Sequence, residues 1–269
     1  LPVGEPNILF VDDDNGALYE PYFETMAENA LLFAQTWDRQ SDGLPDAGAL
    51  ASYAAVVWFT GDDRETSLTS EEQTLISEFL QSGGRLLLSG QGIAEDLARG
   101  STADQTFLQT VLHTEFAAVV SNPQAVVGLP QHTMADGLAG RFVDQYESAE
   151  NQEAPTELQA ISPAESAFMY FPSQRTAGVS WENSDNDAKL VFLGFGLEGI
   201  SGPKADTRSE FLDQIFAWLS SGVQAGIDST TSQPTAFQIT GSYPNPFNPQ
   251  TRLEFTTPNA GHATLLVVN

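Results

Sequence analysis

Short apolar runs separated by polar turns dominate the first ninety positions. The run Asn7 to Val11 ends in Asp12-Asp13-Asp14-Asn15-Gly16, and Pro21 then stands where a first helical residue would, ahead of Tyr22, Phe23, Met26, Ala27 and Ala30. This spacing predicts strand, loop, helix. Ala54 to Thr60 is a second buried-strand run, closed by Gly61-Asp62-Asp63. Ser70 with Gln73 reads as a capping box for a helix whose apolar face is Leu75, Ile76, Phe79 and Leu80, and Gly83-Gly84 ends it. Arg85 to Ser89 is the next strand, and Gly90-Gln91-Gly92 turns out of it. A late strand, Lys189 to Gly194, precedes a helix capped by Thr207 and Glu210 that turns Phe211, Leu212, Ile215, Phe216, Trp218 and Leu219 inward. Strands alternating with amphipathic helices predict βαβ units and hence an α/β fold, a doubly wound and mostly parallel sheet covered on both faces.

Between about Phe116 and Trp181 the period changes. Ala117 to Ser121, Ala125 to Leu129, Ala167 to Phe171 and Gly178 to Trp181 are short β-like pieces, which predicts an antiparallel elaboration at one edge of the sheet. Asn183 to Asp187 reads as a solvated hairpin turn. The expected organisation is one α/β domain over 1–222, a flexible linker over 223–236, rich in Ser, Thr, Gly and Gln, and a small β segment over 237–269.

Charge narrows the partners. Thirty-six acids against ten bases give a formal net charge of −26, with Lys189 and Lys204 the two lysines, so nucleic acid and anionic membranes are excluded as expected partners. Such self-repulsion is relieved by salt or by bound cations. The chain has no cysteine, which removes thiol nucleophiles, disulfides and thiolate metal sites. The apolar runs fall far short of the ~20 residues that span a bilayer. The start, Leu1-Pro2-Val3-Gly4, fits a processed or truncated product.

Two stretches resemble known families. Tyr243-Pro244-Asn245-Pro246-Phe247-Asn248-Pro249, followed by Gln250, Thr251 and the alternating run Arg252-Leu253-Glu254-Phe255, resembles the start of the C-terminal immunoglobulin-like sorting domain of type IX-secreted bacterial proteins, related to the flagellar hook-capping β-sandwich. Pro258-Asn259-Ala260-Gly261 then matches the turn with which such domains continue. A sandwich needs roughly seven strands, and about three can be drawn here, so the tail is expected to be the first part of that module. The second resemblance covers about Glu5 to Gly222. Ile8 to Asp14, Val56 to Asp63, Gly83 to Gln91 and Phe192 to Glu198 are similar to flavodoxin-type domains related to class I glutamine amidotransferases. Catalytic members of that superfamily carry a nucleophilic Cys at the turn after the strand equivalent to Arg85–Ser89. Here that turn is Gly90-Gln91-Gly92, so the resemblance implies fold without that activity.

Open parallel sheets bind ligands at the carboxyl ends of strands near the topological switch point. Asp12, Asp13, Asp14, Asp62, Asp63, Gln91 and Glu198 map there and are the candidate ligand-binding residues. Their hard oxygen donors allow a Ca²⁺ or Mg²⁺ site, for which Asp13, Asp62 and Glu198 are the expected ligands. The plainer reading is that these acids cap helices and the glycines make tight turns. An EF-hand does not fit, because Gly16 at the sixth loop position puts Val11 at the first. Ser89, at a strand-to-turn junction with His113 or His132 as base, is the candidate hydroxyl nucleophile, but the Gly-x-Ser-x-Gly pattern is missing. His113 reads more simply as a helix-end residue. Trp37, Trp58 and Trp181 are candidate sugar-stacking surfaces, with Trp58 and Trp218 better placed in the core.

Taken together, the sequence predicts a non-catalytic structural or binding accessory module of a secreted, cell-surface bacterial protein, with no catalytic residue assigned and Ca²⁺ the candidate cofactor. Expected partners are other protein modules, reached by strand addition to the tail, and the secretion machinery. The competing expectation is a secreted hydrolase using Ser89 or the carboxylates at the switch point.

Overall fold

The computed structural model describes residues 7–142, 148–202 and 207–222, together with the backbone of 238–243 and 252–256. Two compact units divide the chain, Leu1–Gly222 and Val223–Asn269. In chain order the first contains β1 (Ile8–Asp12), α1 (Glu20–Asn29), β2 (Ala34–Asp38), the short helices α2 (Arg39–Asp42) and α3 (Ala47–Ala51), β3 (Ala55–Phe59), α4 (Ser70–Gln81), β4 (Arg85–Ser89), α5 (Ile93–Arg99) and α6 (Thr102–Thr110). It continues through β5 (Thr114–Val119), β6 (Ala125–Gly128), β7 (Ala139–Arg141), β8 (Thr156–Ala160), β9 (Glu165–Phe171), β10 (Thr176–Asn183), β11 (Ala188–Leu193), a 3₁₀ turn at Leu197–Gly199 and α7 (Thr207–Ser220).

Nine strands form one sheet in the order β2-β1-β3-β4-β11-β10-β9-β6-β7. The first five are parallel and the rest antiparallel, so the elaboration expected at one edge grows directly out of β11. Strands β5 and β8 pair separately. The parallel half has the flavodoxin-like order, in which the chain reverses direction across the sheet between β1 and β3.

Strand alternation sorts the core into two layers. Ile8, Phe10, Val57, Phe59, Leu87 and Val191 face α1 and α7, whereas Leu9, Val11, Val56, Trp58, Leu88 and Phe192 face α4, α5 and α6. All five residues of β1 and of β3 are buried, as a strand covered on both faces requires. Strand β2 is only half-buried, and its sequence, Ala-Gln-Thr-Trp-Asp, lacks the continuous apolar run that marks the inner strands.

Two local expectations change. The capping box of α4 is Thr69 with Glu72, one residue earlier than Ser70 with Gln73. That frame frees Gln73 to donate to Leu68 O at 3.0 Å and Asp104 Oδ1 at 2.8 Å, tying α4 to the start of α6. The turn 183–187 is a hairpin as expected, but it also caps a helix: Asn186 Nδ2 donates to Leu80 O at 3.0 Å and Gln81 O at 2.8 Å, closing the last turn of α4.

In the second unit, β12 (Gln238–Tyr243) and β13 (Arg252–Thr256) pair antiparallel, with Tyr243 opposite Arg252. The linker 223–236 and the proline-rich signature from Pro244 to Pro249 lie outside the described residues, as does the cap of α7.

Candidate functional site

Everything at the switch point follows from where β1 stops. Asp12 is its last residue, and the next turn carries Asn15 at φ 60° and Gly16 at φ 82°, left-handed positions suited to Asn and Gly. Alternation then separates the three aspartates, with Asp12 and Asp14 on the α1 face and Asp13 on the α4 face.

On the α4 face Asp13 is fully partnered. Its Oδ2 accepts from Trp58 Nε1 at 2.9 Å, and Arg39 Nε lies 3.9 Å from its Oδ1. The same guanidinium pairs with Glu72, with Nε 2.7 Å from Oε1, and the Glu72 side chain is 1% exposed. Burial, then the charge of Glu72, pushes Asp13 up to about 7. Asp63 is also occupied, its carboxylate accepting from Glu65 N at 3.0 Å and from Thr66 N at 3.2 Å, which makes it a turn cap.

On the α1 face Asp14 Oδ1 accepts from Gly16 N at 3.0 Å and Oδ2 from Tyr19 N at 3.2 Å, while Asp12 Oδ1 accepts from Asp14 N at 3.4 Å and the Asp12 and Asp14 side chains hydrogen-bond to each other. Asp12 is 8% exposed and Asp14 4%. Burial, reinforced by the charge of Asp14, pushes Asp12 up to about 8, and burial raises Asp14 as well. Glu20, the first residue of α1, completes a group in which one carboxylate oxygen from each of Asp12, Asp14 and Glu20 lies within 4.8 Å of the others.

Across the crevice, Glu198 is wholly buried at the 3₁₀ turn after β11. Its Oε1 accepts from Asn151 Nδ2 at 2.7 Å and Gln152 Nε2 at 3.3 Å, and its Oε2 has no partner. Burial, then the charges of Asp62 and Asp14, raises it to about 7. The exposed Asp62 and the Asn151 amide both reach the Tyr19 hydroxyl, which burial pushes up to about 12. Gln91 is wholly buried; its Nε2 donates to Asn151 O and its Oε1 accepts from Ala154 N, both at 2.6 Å. The amide at the turn after β4 therefore clamps the 151–154 segment over the sheet end.

The seven sequence-predicted residues thus divide four ways. Asp12 and Asp14 join Glu20, Asp13 turns to Arg39 and Glu72, Asp63 caps its own turn, and Gln91, Glu198 and Asp62 meet through Asn151 and Tyr19. Asp13, Asp62 and Glu198, the expected metal ligands, do not form one group: among the described residues, the three carboxylates close enough to share an ion are Asp12, Asp14 and Glu20. Sequence reasoning missed Glu20, although an acid beside Pro21 at a helix start was a usable signal. It also missed Asn151 and Gln152, which carry no local motif.

Ser89 is wholly buried, accepting from Leu197 N at 2.9 Å and bonding Phe195 O at 3.4 Å. Neither candidate base bonds it. His132 accepts at Nδ1 from Met134 N and Ala135 N, both at 3.2 Å, and its Nε2 meets Ser180 Oγ at 3.1 Å. His113 packs edge-on against Trp181 at 5.0 Å. Trp58 and Trp181 are buried, so neither offers a sugar-stacking face; Trp37 and Trp218 are half-buried.

No protein-family model matches the chain, and comparison with curated proteins gives no match. Solved structures do match. They include the mmIFT52 N-terminal domain (TM-score 0.54, 18% identity, covering 80% of this chain and 98% of that one). A protein described as a GMP synthase subunit, from Thermoplasma acidophilum, matches with TM-score 0.52 and 10% identity, over 81% of this chain and 95% of its own. A ThuA-like protein from Parabacteroides merdae ATCC 43184 matches with TM-score 0.50 and 11% identity, over 81% and 91%. At these identities the likeness defines the fold alone: a flavodoxin-type α/β domain with an antiparallel extension.

Proposed function

We propose that this chain is a non-catalytic structural or binding module of a secreted, cell-surface bacterial protein, exported by means of its C-terminal sorting segment. The observation that carries the non-catalytic part is Gln91. At the turn where catalytic members of the resembled superfamily hold a thiol, this chain holds a buried amide whose two ends are both spent on the 151–154 segment. A nucleophile needs an exposed atom and an adjacent base, and Ser89 has neither. The export part rests on the residues Tyr243 to Phe255. The expected partners are neighbouring modules and the export machinery, with strand addition to the β12–β13 pair as the expected mode.

The competing hydrolase reading draws on Asp13 and Glu198, carboxyls raised into the range of neutral-pH acid–base chemistry. A panel of esterase, peptidase and glycosidase substrates separates the two. The module reading expects no turnover above a buffer blank; turnover abolished by Ser89→Ala or Asp13→Asn would defeat it. Deleting residues 238–256 in a host with type IX export should leave the protein inside the cell, and unchanged surface display would remove the sorting role.

A further inference from the structure

Three features of the sheet edge at β2 are ones that the fold does not require. First, among the described residues the strand has a neighbour on one side only, β1. Asn7 N and Ile8 N both donate to Phe33 O, at 2.9 and 3.1 Å, so residues 33, 35 and 37 turn their backbone groups toward β1 and the alternate residues turn theirs outward. The outward N–H of Asp38 is met by Asp42 Oδ2 at 3.3 Å, but among the described residues nothing bonds the outward N–H and C=O of Ala34 and Thr36. Secondly, α1 ends beside that edge in Leu31, at φ 57°, the left-handed position where Gly is usual and a bulky side chain is strained. Leu31 N donates to Glu28 O at 3.1 Å and Leu32 N to Ala27 O at 2.9 Å, so the turn needs this backbone conformation but not the Leu31 side chain, which is 63% exposed. Thirdly, between α1 and β2 lies a groove of about 650 Å³, lined by Leu31, Leu32 and Phe33 together with the exposed Glu24 and Glu28 and by no basic side chain. The last turn of α1, where the helix dipole favours a cation, holds Glu28 and no basic residue.

We propose that β2 and this groove take up an extended segment of a partner protein, basic and aliphatic in its groove-facing side chains, added to the sheet as a further edge strand. The backbone groups of Ala34 and Thr36 hold the segment's main chain, and alternation turns every second side chain of it toward α1. There an aliphatic group covers Leu31, and a Lys or Arg meets Glu24 and Glu28 and supplies the cation that the last turn of α1 lacks. Charge favours this occupant over a second copy. Pairing two β2 strands would set Glu24 and Glu28 of one chain near those of the other, on a protein of net charge −26. Neither the β12–β13 pair nor the switch-point carboxylates take part, so the docking edge does not depend on the module being non-catalytic or exported.

The probe is the capped peptide Val-Thr-Lys-Thr-Lys-Thr-Val, which reads the same in both directions and so serves parallel and antiparallel addition alike. Titrated into the isotope-labelled full chain in about 0.15 M NaCl, which screens diffuse attraction, it should bind saturably, shift the Ala34 and Thr36 amide resonances and slow their hydrogen exchange. Replacing both of its lysines by glutamate should weaken binding about tenfold or more. Leu31→Gly should leave Tm equal to wild type or higher, because Gly suits the left-handed position, yet weaken peptide binding about threefold. A purely structural Leu31 would not move the two readouts in opposite directions. Glu24→Gln with Glu28→Gln should weaken binding about fivefold, whereas Glu71→Gln with Glu78→Gln, which removes two exposed acids of α4 instead, should leave it within about twofold. The proposal is overturned by absence of saturable binding at millimolar peptide, by equal affinity for the glutamate peptide, by Leu31→Gly binding as wild type, or by the α4 pair losing as much as the α1 pair. It is equally overturned by a concentration-dependent dimer that protects the Ala34 and Thr36 amides without peptide, which would give the edge to a second copy.

Discussion

The aspartates at the end of β1 line one small cavity with Asp38, Arg39 and Gln40, yet alternation gives them two chemically opposite sets of partners, in effect two rooms. Asp13, on the α4 face, meets an indole donor and a guanidinium that it shares with Glu72. Asp12 and Asp14, on the α1 face, meet a third carboxylate and, across the crevice, a fourth. Burial is the largest cause raising Asp12, Asp13, Asp14 and Glu198 alike. The difference lies in the counter-charge: among the described residues Arg39 pairs with Asp13 and Glu72, and no salt bridge reaches Asp12, Asp14 or Glu20. A polypeptide of net charge −26 with ten basic residues cannot neutralise every acidic cluster, so where it spends an arginine is informative.

The largest expected effect comes from abolishing the pairing on the α4 face. Arg39→Met removes the cation between Asp13 and Glu72 and leaves Glu72, with a 1% exposed side chain, as an unpaired buried charge. Losing one partner of a buried pair costs about 3–5 kcal/mol. Arg39 is itself 19% exposed, which places the loss near the lower end, about 3 kcal/mol, or roughly 10 °C in Tm. Thermal or urea unfolding measures it. Arg39→Met with Glu72→Met should recover most of the loss; a double variant no better than the single would show that packing, not charge, holds this side together.

On the other side the sign reverses, and removing a charge should stabilise. Glu198 has a folded-state pKa of about 7 against 4.5 for the free group. Its neutral form is favoured by folding, so stability is complete below pH 4.5 and declines as pH rises through about 7. At about 1.4 kcal/mol per unit the loss by pH 8 is on the order of 3 kcal/mol. Glu198→Gln keeps an oxygen for Asn151 and Gln152 and cannot ionise, though it places an unpaired amide where Oε2 stood. The variant should therefore gain about 2 kcal/mol over wild type at pH 8 and nothing at pH 4.5, in chelator. Equal Tm values at pH 8 would mean that solvent already reaches this carboxylate and that the contrast between the rooms is weaker than the geometry implies.

How legible these rooms were in sequence differs by scale. Apolar runs fix inner strands because burial on both faces demands continuous Ile, Leu, Val and Phe, which is why β1, β3, β4 and β11 stood out while the half-buried edge strand β2 did not. Antiparallel additions were visible as a change of period, although β7, with three residues, and β8 fell below that signal. The location of the acids at strand ends was readable; their grouping was not. Period-two alternation at β1 already separates Asp13 from Asp12 and Asp14, and applying it past the strand end would have excluded the trio Asp13, Asp62 and Glu198. Nothing local in the sequence announces that Asn151 and Gln152, some sixty residues beyond Gln91, fold back to bond Gln91 and Glu198. Such contacts depend on the path of a long connection.

The smallest expected effect probes the wedge that shapes the carboxylate-rich room. Gly61, after β3, sits at φ 55°, and a Cβ there would come within 2.5 Å of the Tyr19 ring and 3.3 Å of the Asp14 Cβ. Gly137 shares the left-handed φ, at 85°, but a Cβ there would meet nothing within 4 Å. An alanine in this region of φ costs about 1 kcal/mol from backbone strain alone. Gly137→Ala should lose that amount, and Gly61→Ala that amount plus the cost of moving Tyr19, about 2 kcal/mol in all. The displacement pulls on the Tyr19 N–H that Asp14 accepts at 3.2 Å, so the whole 13–19 turn should loosen. Amide hydrogen exchange at Gly16 and Tyr19 should accelerate in Gly61→Ala and stay unchanged in Gly137→Ala, while exchange on the α4 face at Glu72 is untouched in both. Acceleration spreading equally to Glu72 would show that the two rooms open together, so that the sheet between them does not divide the site into independent halves.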